Sequence, residues 1–536
     1  MIPPSPKVVF NEIDMTRAAG VSSPYNLLIA GTSPKGRLTP MTFSSPDAFV
    51  KEYGYDSESN FYWAGNYITA YGTVLAVRAV GAAARHGGVI FNVDQHASGQ
   101  SPTTPITAGV VDPEAVTVTD PDELFHVYSN SPGAWCNADT DYTIKVAVIT
   151  YDDYNLVNYR VNNPPLAAGE FLLIVTDSAG NQLEYFRVSR DNTKRDSYGS
   201  MYICDRVNAA SSYIYVVDNK TIDKSESPVS TITGTTVDTV NLSHGVDDNA
   251  VTSGDILDAY NKCKNTSLYS FVGILSIGNV GSMTDVAIPT GLISLADETR
   301  TRVYLDNPFD VTTVAQMIDY RETHLNCSSS RAALYFDWQE GYDTVLDKYR
   351  WLPPTIFVGT AIARMCRDGK PFFAPAGDQY GVILNSTRAR FDPEEGDRDQ
   401  LYSYQVNPLA TVRGLGRRIW GDKTQQKYRS SLSYIGCRTS LDMIEDAVEQ
   451  AGLSILFMPN NTTTREIFAD AVNPYLRQMY AESGLASYIP IDVSDAIQTS
   501  EEVLNAILKV DLQESVQAIT IQVQIVRGQN VSISEL

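Results

Sequence analysis

The sequence predicts an α+β multidomain chain: an α/β domain interrupted by a β-rich insertion, then a C-terminal α+β domain, with an extended β arm at each end. Three observations carry this. The chain has 536 residues, 43% hydrophobic and 19% charged, too many for one ordinary core and too apolar for a disordered polymer. Helix and strand patterns alternate over 23–95 and again after 250, whereas the stretch between is rich in Thr, Val and Tyr with turn signals at strand spacing. Both ends alternate apolar and polar residues without a neighbouring hairpin, and a lone strand cannot satisfy its own backbone donors and acceptors.

Residues 1–22 form the N-terminal arm. Val8, Val9, Phe10, Ile13 and Met15 are its pairing candidates; Val9, Ile13 and Met15 alternate with Glu12 and Asp14, and Asn11 interrupts the apolar face. The interrupted α/β domain takes residues 23–96 and 241–346. In it 26–30, 73–80, 271–277, 301–305 and 332–336 read as strands and 61–71 as a helix. Ser253 is placed to cap a helix over 255–263, and Val314, Met317, Ile318 and Arg321 mark another. The insertion, 97–240, offers strands at 142–151, 170–175, 183–188 and 211–217.

The C-terminal domain, 347–515, shows two helices. Thr439-x-x-Asp442 reads as a capping box, with Leu441, Ile444, Ala447, Val448 and Ala451 as the buried stripe and Gly452 as the stop. A buried strand is expected at 453–458. The second helix opens at Thr463-x-x-Glu466, buries Phe468, Val472, Leu476, Met479 and Tyr480, ends at Gly484, and should kink at Pro474. In the C-terminal arm, 516–536, Ile519, Ile521, Val523 and Ile525 face one way, and Thr520, Gln522 and Gln524 the other.

No catalytic constellation emerges. The five histidines (His86, His96, His126, His244, His324) are scattered, and the six cysteines (Cys136, Cys204, Cys263, Cys327, Cys366, Cys437) lie tens of residues apart, without metal or redox spacing. Reduced thiols are expected, with cross-links between subunits as the alternative. Gly414, Gly416 and Gly421 lack the βαβ context of a dinucleotide loop, and the acids of 392–399 miss calcium-loop spacing. The expectation is no catalytic residue, no metal and no cofactor. A net charge of −22 opposes nucleic acid and anionic membranes as partners, and no apolar run reaches the roughly 20 residues of a membrane helix. Met1-Ile-Pro-Pro-Ser-Pro lacks the halves of a signal peptide, so assembly in a cytoplasm is expected.

One window departs from the acidic background. Arg413, Arg417, Arg418, Lys423, Lys427, Arg429 and Arg438 face the single acid Asp422. Local pairing with the chain's own carboxylates and an interface with an acidic neighbour both remain open.

Trp351-Leu-Pro-Pro354 leads to an apolar run at 356–363, and Phe372-Phe-Ala-Pro-Ala-Gly377, Tyr402-Ser-Tyr-Gln-Val-Asn-Pro408 and Ile419-Trp-Gly-Asp-Lys-Thr424 follow. In order and wording these resemble the C-terminal domain of the contractile tail sheath proteins of myovirus-type bacteriophages and related R-type particles. The resemblance implies a non-enzymatic structural subunit of a virion tail, assembled in the bacterial host cytoplasm, that contracts to deliver a genome. It implies a C-terminal domain innermost around a rigid tube, an outer insertion, and sixfold rings or a six-start helix of subunits. The arms would complete a sheet in a neighbour, with flexible links at 16–22 and 512–517. Partners would be the chain itself, the tail tube protein, and baseplate and tail terminator proteins, with no direct nucleic acid contact and no membrane insertion. Cys437-Arg438 stands where the family often shows paired arginines, and Lys423 where arginine is common, which changes the salt bridges available. A sheath of a headless R-type bacteriocin or extracellular injection particle is the alternative within the class, and a non-contractile virion decoration protein the alternative outside it.

Overall fold

The computed structural model describes residues 25–93, 101–138, 140, 142–154, 166–248, 250–343, 347–459, 461–491 and 506–517. The arm candidates Val8, Val9, Phe10, Ile13 and Met15, and Ile519, Ile521, Val523 and Ile525, lie outside those residues.

Eight strands make the central sheet, in the order Met41–Phe43, Thr73–Arg78, Asn26–Gly31, Gly273–Leu275, Arg302–Asp306, Ala332–Phe336, Val406–Val412, Gly416–Ile419. Neighbours are parallel except at the edges, where Met41–Phe43 and Gly416–Ile419 run antiparallel. Inner strands are unbroken aliphatic runs, such as 27–30, because helices cover both faces. Phe49, Phe61, Trp63, Ile356 and Phe357 fill one side. Tyr260, Leu292, Leu295, Met317 and Tyr320 fill the other. The helix expected from Asp255 begins at Ser253: Thr252 is the cap, its hydroxyl accepting from Asp255 N while the Asp255 carboxylate accepts from Thr252 N.

The boundary expected between 346 and 347 is not a division of the fold. Val406–Val412 lies parallel to Ala332–Phe336, and helix Pro354–Arg367 is buried in the core beneath the sheet. Parallel neighbours need a long crossover, and local pattern carries no sign of such a pairing. A separate core does form further on, from Phe372, Ile444, Phe468, Val472, Leu476, Met479 and Leu485.

The insertion is built on two four-stranded sheets around a shared core, to which helix Ile203–Ala210 adds Ile203 and Val207. One orders Ile214–Asp218, Glu123–Ser129, Gly88–Asn92 and Thr103–Pro105, the other Val240–Asn241, Ile144–Thr150, Phe171–Asp177 and Gln182–Val188. Phe91, Phe125 and Phe171 stack in a row inside it. It begins before residue 97, since Gly88–Asn92 belongs to it, and bridges Arg85 to Val246 and Gly88 to Ser243 tie its entering and leaving chains together.

Both C-terminal helices depart from expectation. The first is Ile435–Ile455, so Thr439 lies inside it and its hydroxyl donates to Ile435 O. The start is earlier because the preceding turn is pinned: Ile435 N donates to Asp422 O. The helix also runs through Gly452, and the expected buried strand at 453–458 is its last turn and exit, with Leu453, Leu456, Phe457 and Met458 exposed. Ile444, Ala447 and Ala451 already fill the inward stripe; Leu453 falls on the helix's outer side, and Leu456, Phe457 and Met458 lie beyond its end at Ile455. The second helix is Thr462–Ala481, capped by Asn461, with Pro474 inside it and Tyr480 exposed where burial was expected.

Candidate assembly surface

The helices Ile435–Ile455 and Thr462–Ala481 pack together and carry a two-stranded antiparallel sheet, Leu485–Ile489 with Lys509–Leu512. Leu485 pairs with Leu512, Tyr488 with Val510, and Ile489 with Lys509. Leu485, Tyr488, Val510 and Leu512 turn toward the small core, whereas Ile489 and Ile507 remain 59% and 60% exposed. Neither strand has a third partner among the described residues. A two-stranded sheet with both edges open is marginal alone and is a ready template for further strands.

From Leu512 the chain crosses to the body as a strap. Cys437 Sγ donates to Gln513 O at 3.4 Å and Ser431 Oγ to Glu514 Oε1 at 3.0 Å. Ser515 Oγ donates to Asp422 Oδ2 at 2.6 Å, and Gln517 Nε2 to Asp422 Oδ1 at 3.2 Å. The Tyr402 hydroxyl also donates to Asp422, at 3.0 Å, and lies 2.5 Å from Gln517 Oε1. The expected flexible link at 512–517 is therefore a hydrogen-bonded one. Burial and the neighbouring carboxylates push the Cys437 thiol up to about 12. Burial, then the Asp422 charge, raises the Tyr402 hydroxyl above its ordinary range.

The seven basic residues do not form one patch. Arg438 is buried with its guanidinium on Asp442 and Glu445, and Asp442 also accepts from Arg302 and Arg331. It is unavailable to a neighbour, because a buried cation needs its partner close at hand. Lys423 sits 5.0 Å and 4.9 Å from the ring centroids of Tyr402 and Tyr434. Arg417 donates to Ser386 Oγ and Thr387 O, burial lowering its pKa, and Arg418 pairs with Asp378. Arg413, Lys427 and Arg429 are exposed; Lys427 bonds Asn326, and none of the three has an ion-pair partner among the described residues.

Sequence reasoning missed three features. Asp422 counted only as the lone acid of a basic window, and Asp442 only as part of a capping box. The helical period does not mark the apolar tip formed by Leu453, Leu456, Phe457 and Met458, because the helix ends at Ile455 and the last three lie beyond it.

The carboxyl ends of the parallel strands, where α/β folds place ligand sites, are closed by structural bonding. Buried Asp306 accepts from Ser276 Oγ, Gly278 N, and Thr355 N and Oγ1. Asp337 takes Arg390 and Asn307. Among the described residues no group of His, Cys, Asp or Glu is placed to hold a metal, all six cysteines are free, and no helix is long and apolar enough to cross a membrane.

No family model matches the chain. It is 26% identical over 265 residues to the tail sheath protein of Enterobacteria phage T4, covering 46% of this chain and 40% of that one. With the tail sheath protein of Salmonella phage ViI it shares 23% identity over 321 residues, covering 58% and 47%. The chain thus spans less than half the length of these curated relatives. The crystal structure of a sheath tail protein from Listeria innocua superposes with a TM-score of 0.53 at 11% identity, covering 92% of this chain and 96% of that one, and so shares its fold.

Proposed function

We infer that this chain, which resembles phage tail sheath proteins in sequence and in fold, is a structural subunit of a contractile tail sheath. In this reading it polymerises around a rigid tail tube and shortens to drive the tube through a host envelope. The observation that carries the reading is the open-edged sheet Leu485–Ile489 with Lys509–Leu512, followed at once by a C-terminal arm of strand-like alternation. An arm cannot fold alone, and an edge of this kind accepts a strand through main-chain hydrogen bonds. When donor and acceptor surfaces differ, the contact is heterologous and propagates as a tube. Contraction then repacks globular bodies while the strand ladders keep neighbours joined, and a small gain per subunit, summed along the sheath, supplies the stroke without nucleotide hydrolysis. The insertion, with its own core, is assigned to the outside of the sheath; baseplate and terminator proteins would contact the sheath's ends, and the virion tail would be the protein's location. Negative-stain electron microscopy of the purified protein tests the reading. Hollow, regular tubes are expected, and a protein that stays monomeric at all concentrations and ionic strengths would instead fit a decoration protein.

The apolar tip 453–458 supplies the surface offered to the tail tube. Contiguous exposed apolar side chains beside a packed helix pair mark a contact surface. Leu456→Ser with Phe457→Ser is expected to leave unfolding within about 0.5 kcal/mol of native, as surface substitutions do, and to leave tube formation by the chain alone intact. Co-assembly with tube protein should be lost; normal co-sedimentation with tubes would remove the tip from that role.

Arg413 and Arg429 remain candidates for meeting an acidic neighbour. Replacing both with Glu is expected to weaken assembly most at low ionic strength, where exposed charges are least screened, with no change in thermal unfolding. Unaltered assembly at low salt would return both residues to ordinary surface.

A further inference from the structure

We propose that Asp422 is the positioning residue of the strap 513–517, a carboxylate that holds this segment to the body immediately before the C-terminal arm. The proposal rests on the reading of the chain as a sheath subunit only for the arm's purpose; the latch itself is a property of the single chain.

Asp422 is 3% exposed, yet the ammonium of adjacent Lys423 lies over the rings of Tyr402 and Tyr434. Its carboxylate accepts from Ser515 and Gln517 of the strap and from the Tyr402 hydroxyl, whose single proton is shared between Asp422 and Gln517 Oε1. Hydrogen bonds to an ionised acceptor are the strong kind, and a buried carboxylate that loses donors is costly to leave. Strap and acid therefore depend on each other.

The acid is itself rigidly mounted. Asp422 O accepts from Ile435 N at the start of the long helix. On its other side, the Asn407 side chain, on a strand of the central sheet, accepts from Lys423 N and donates to Lys423 O, both at 2.8 Å. The strap's side chains are thus referenced to the central sheet, although its preceding strand belongs to the small C-terminal sheet. Residues 513–517 are all exposed, so these side-chain bonds and the Cys437 and Ser431 contacts hold them, not burial.

Glu514 lies in the strap, so a glutamate-specific protease reads its freedom directly. Cleavage after Glu514, identified by the mass lost as 515–536, is expected to be slow in the full chain. It should be at least about tenfold faster in Ser515→Ala with Gln517→Ala, the factor set by losing bonds to a charged acceptor. Unfolding should stay a single cooperative transition, its midpoint lowered only by the cost of leaving Asp422 short of donors, and Ser515→Thr, which keeps the hydroxyl, should protect as the native residue does. Asp422→Asn, which accepts fewer donors, should give an intermediate rate. An unchanged rate in the double variant overturns the proposal, as does a rate that rises equally at glutamates throughout the C-terminal region, which would mean general loosening. A wild-type chain that forms no tubes but shows these rates would contradict the sheath reading and leave the latch standing.

Discussion

Removal of residues 516–536 is expected to yield a folded monomer that forms no tubes at any concentration the full chain needs. The truncation takes away Ile519, Ile521, Val523 and Ile525 and leaves both buried cores of the described C-terminal region intact, since their members all precede residue 513. Only Gln517 among the Asp422 donors is lost, and Ser515 and Tyr402 remain. The effect should therefore fall on assembly, read by sedimentation velocity, with circular dichroism and unfolding close to native. A truncated chain that still polymerises would show that the arm is dispensable. One that fails to fold would show that it is a strand of its own subunit.

Asp442→Ala is expected to destabilise the chain by about 3–5 kcal/mol, the cost of removing one partner from a buried ion pair. The Asp442 carboxylate receives Arg438 Nε at 2.8 Å, Arg331 Nη1 at 2.7 Å and Arg302 Nη1 at 3.2 Å. Arg302 lies on the central sheet, Arg331 just before the next strand, and Arg438 on the long helix. Without the acid, Glu445, beside Arg331 and Arg438, is the one ion-pair partner left to these three guanidinium groups among the described residues, with Asp297 and Asp446 acting at longer range. The helix should then part from the sheet before the rest unfolds, so urea unfolding followed by tryptophan fluorescence and by far-ultraviolet circular dichroism should lose its coincidence. A loss under about 1 kcal/mol would mean that solvent, not Asp442, balances these arginines.

The contrast between Asp442 and Asp422 shows where sequence stops being informative. Runs such as 27–30 and 332–336 announce strands because burial on both faces demands apolar residues at every position. The motifs around Trp351, Phe372, Tyr402 and Ile419 likewise pointed to the right family of folds. What sequence could not supply was long-range pairing. Val406–Val412 joins the central sheet through a crossover with no local trace, which moved the domain boundary. Thr439 has the composition of a cap, but the helix start is set upstream by the bond from Ile435 N to Asp422 O. The basic window dissolved for the same reason: Arg438 and Arg418 find carboxylates, Arg417 finds a hydroxyl and a carbonyl, and Lys423 finds two rings. Composition counts charges along the chain, whereas pairing is decided by the fold.

The most direct measurement of the central claim is a cryo-electron microscopy map of tubes grown from the purified full-length chain. Strand exchange predicts density for a neighbouring subunit's arm along an open edge of the sheet Leu485–Ile489 with Lys509–Leu512, with Ile519, Ile521, Val523 and Ile525 turned to one face. A map in which that sheet keeps both edges free, or in which each arm folds back onto its own subunit, would contradict it.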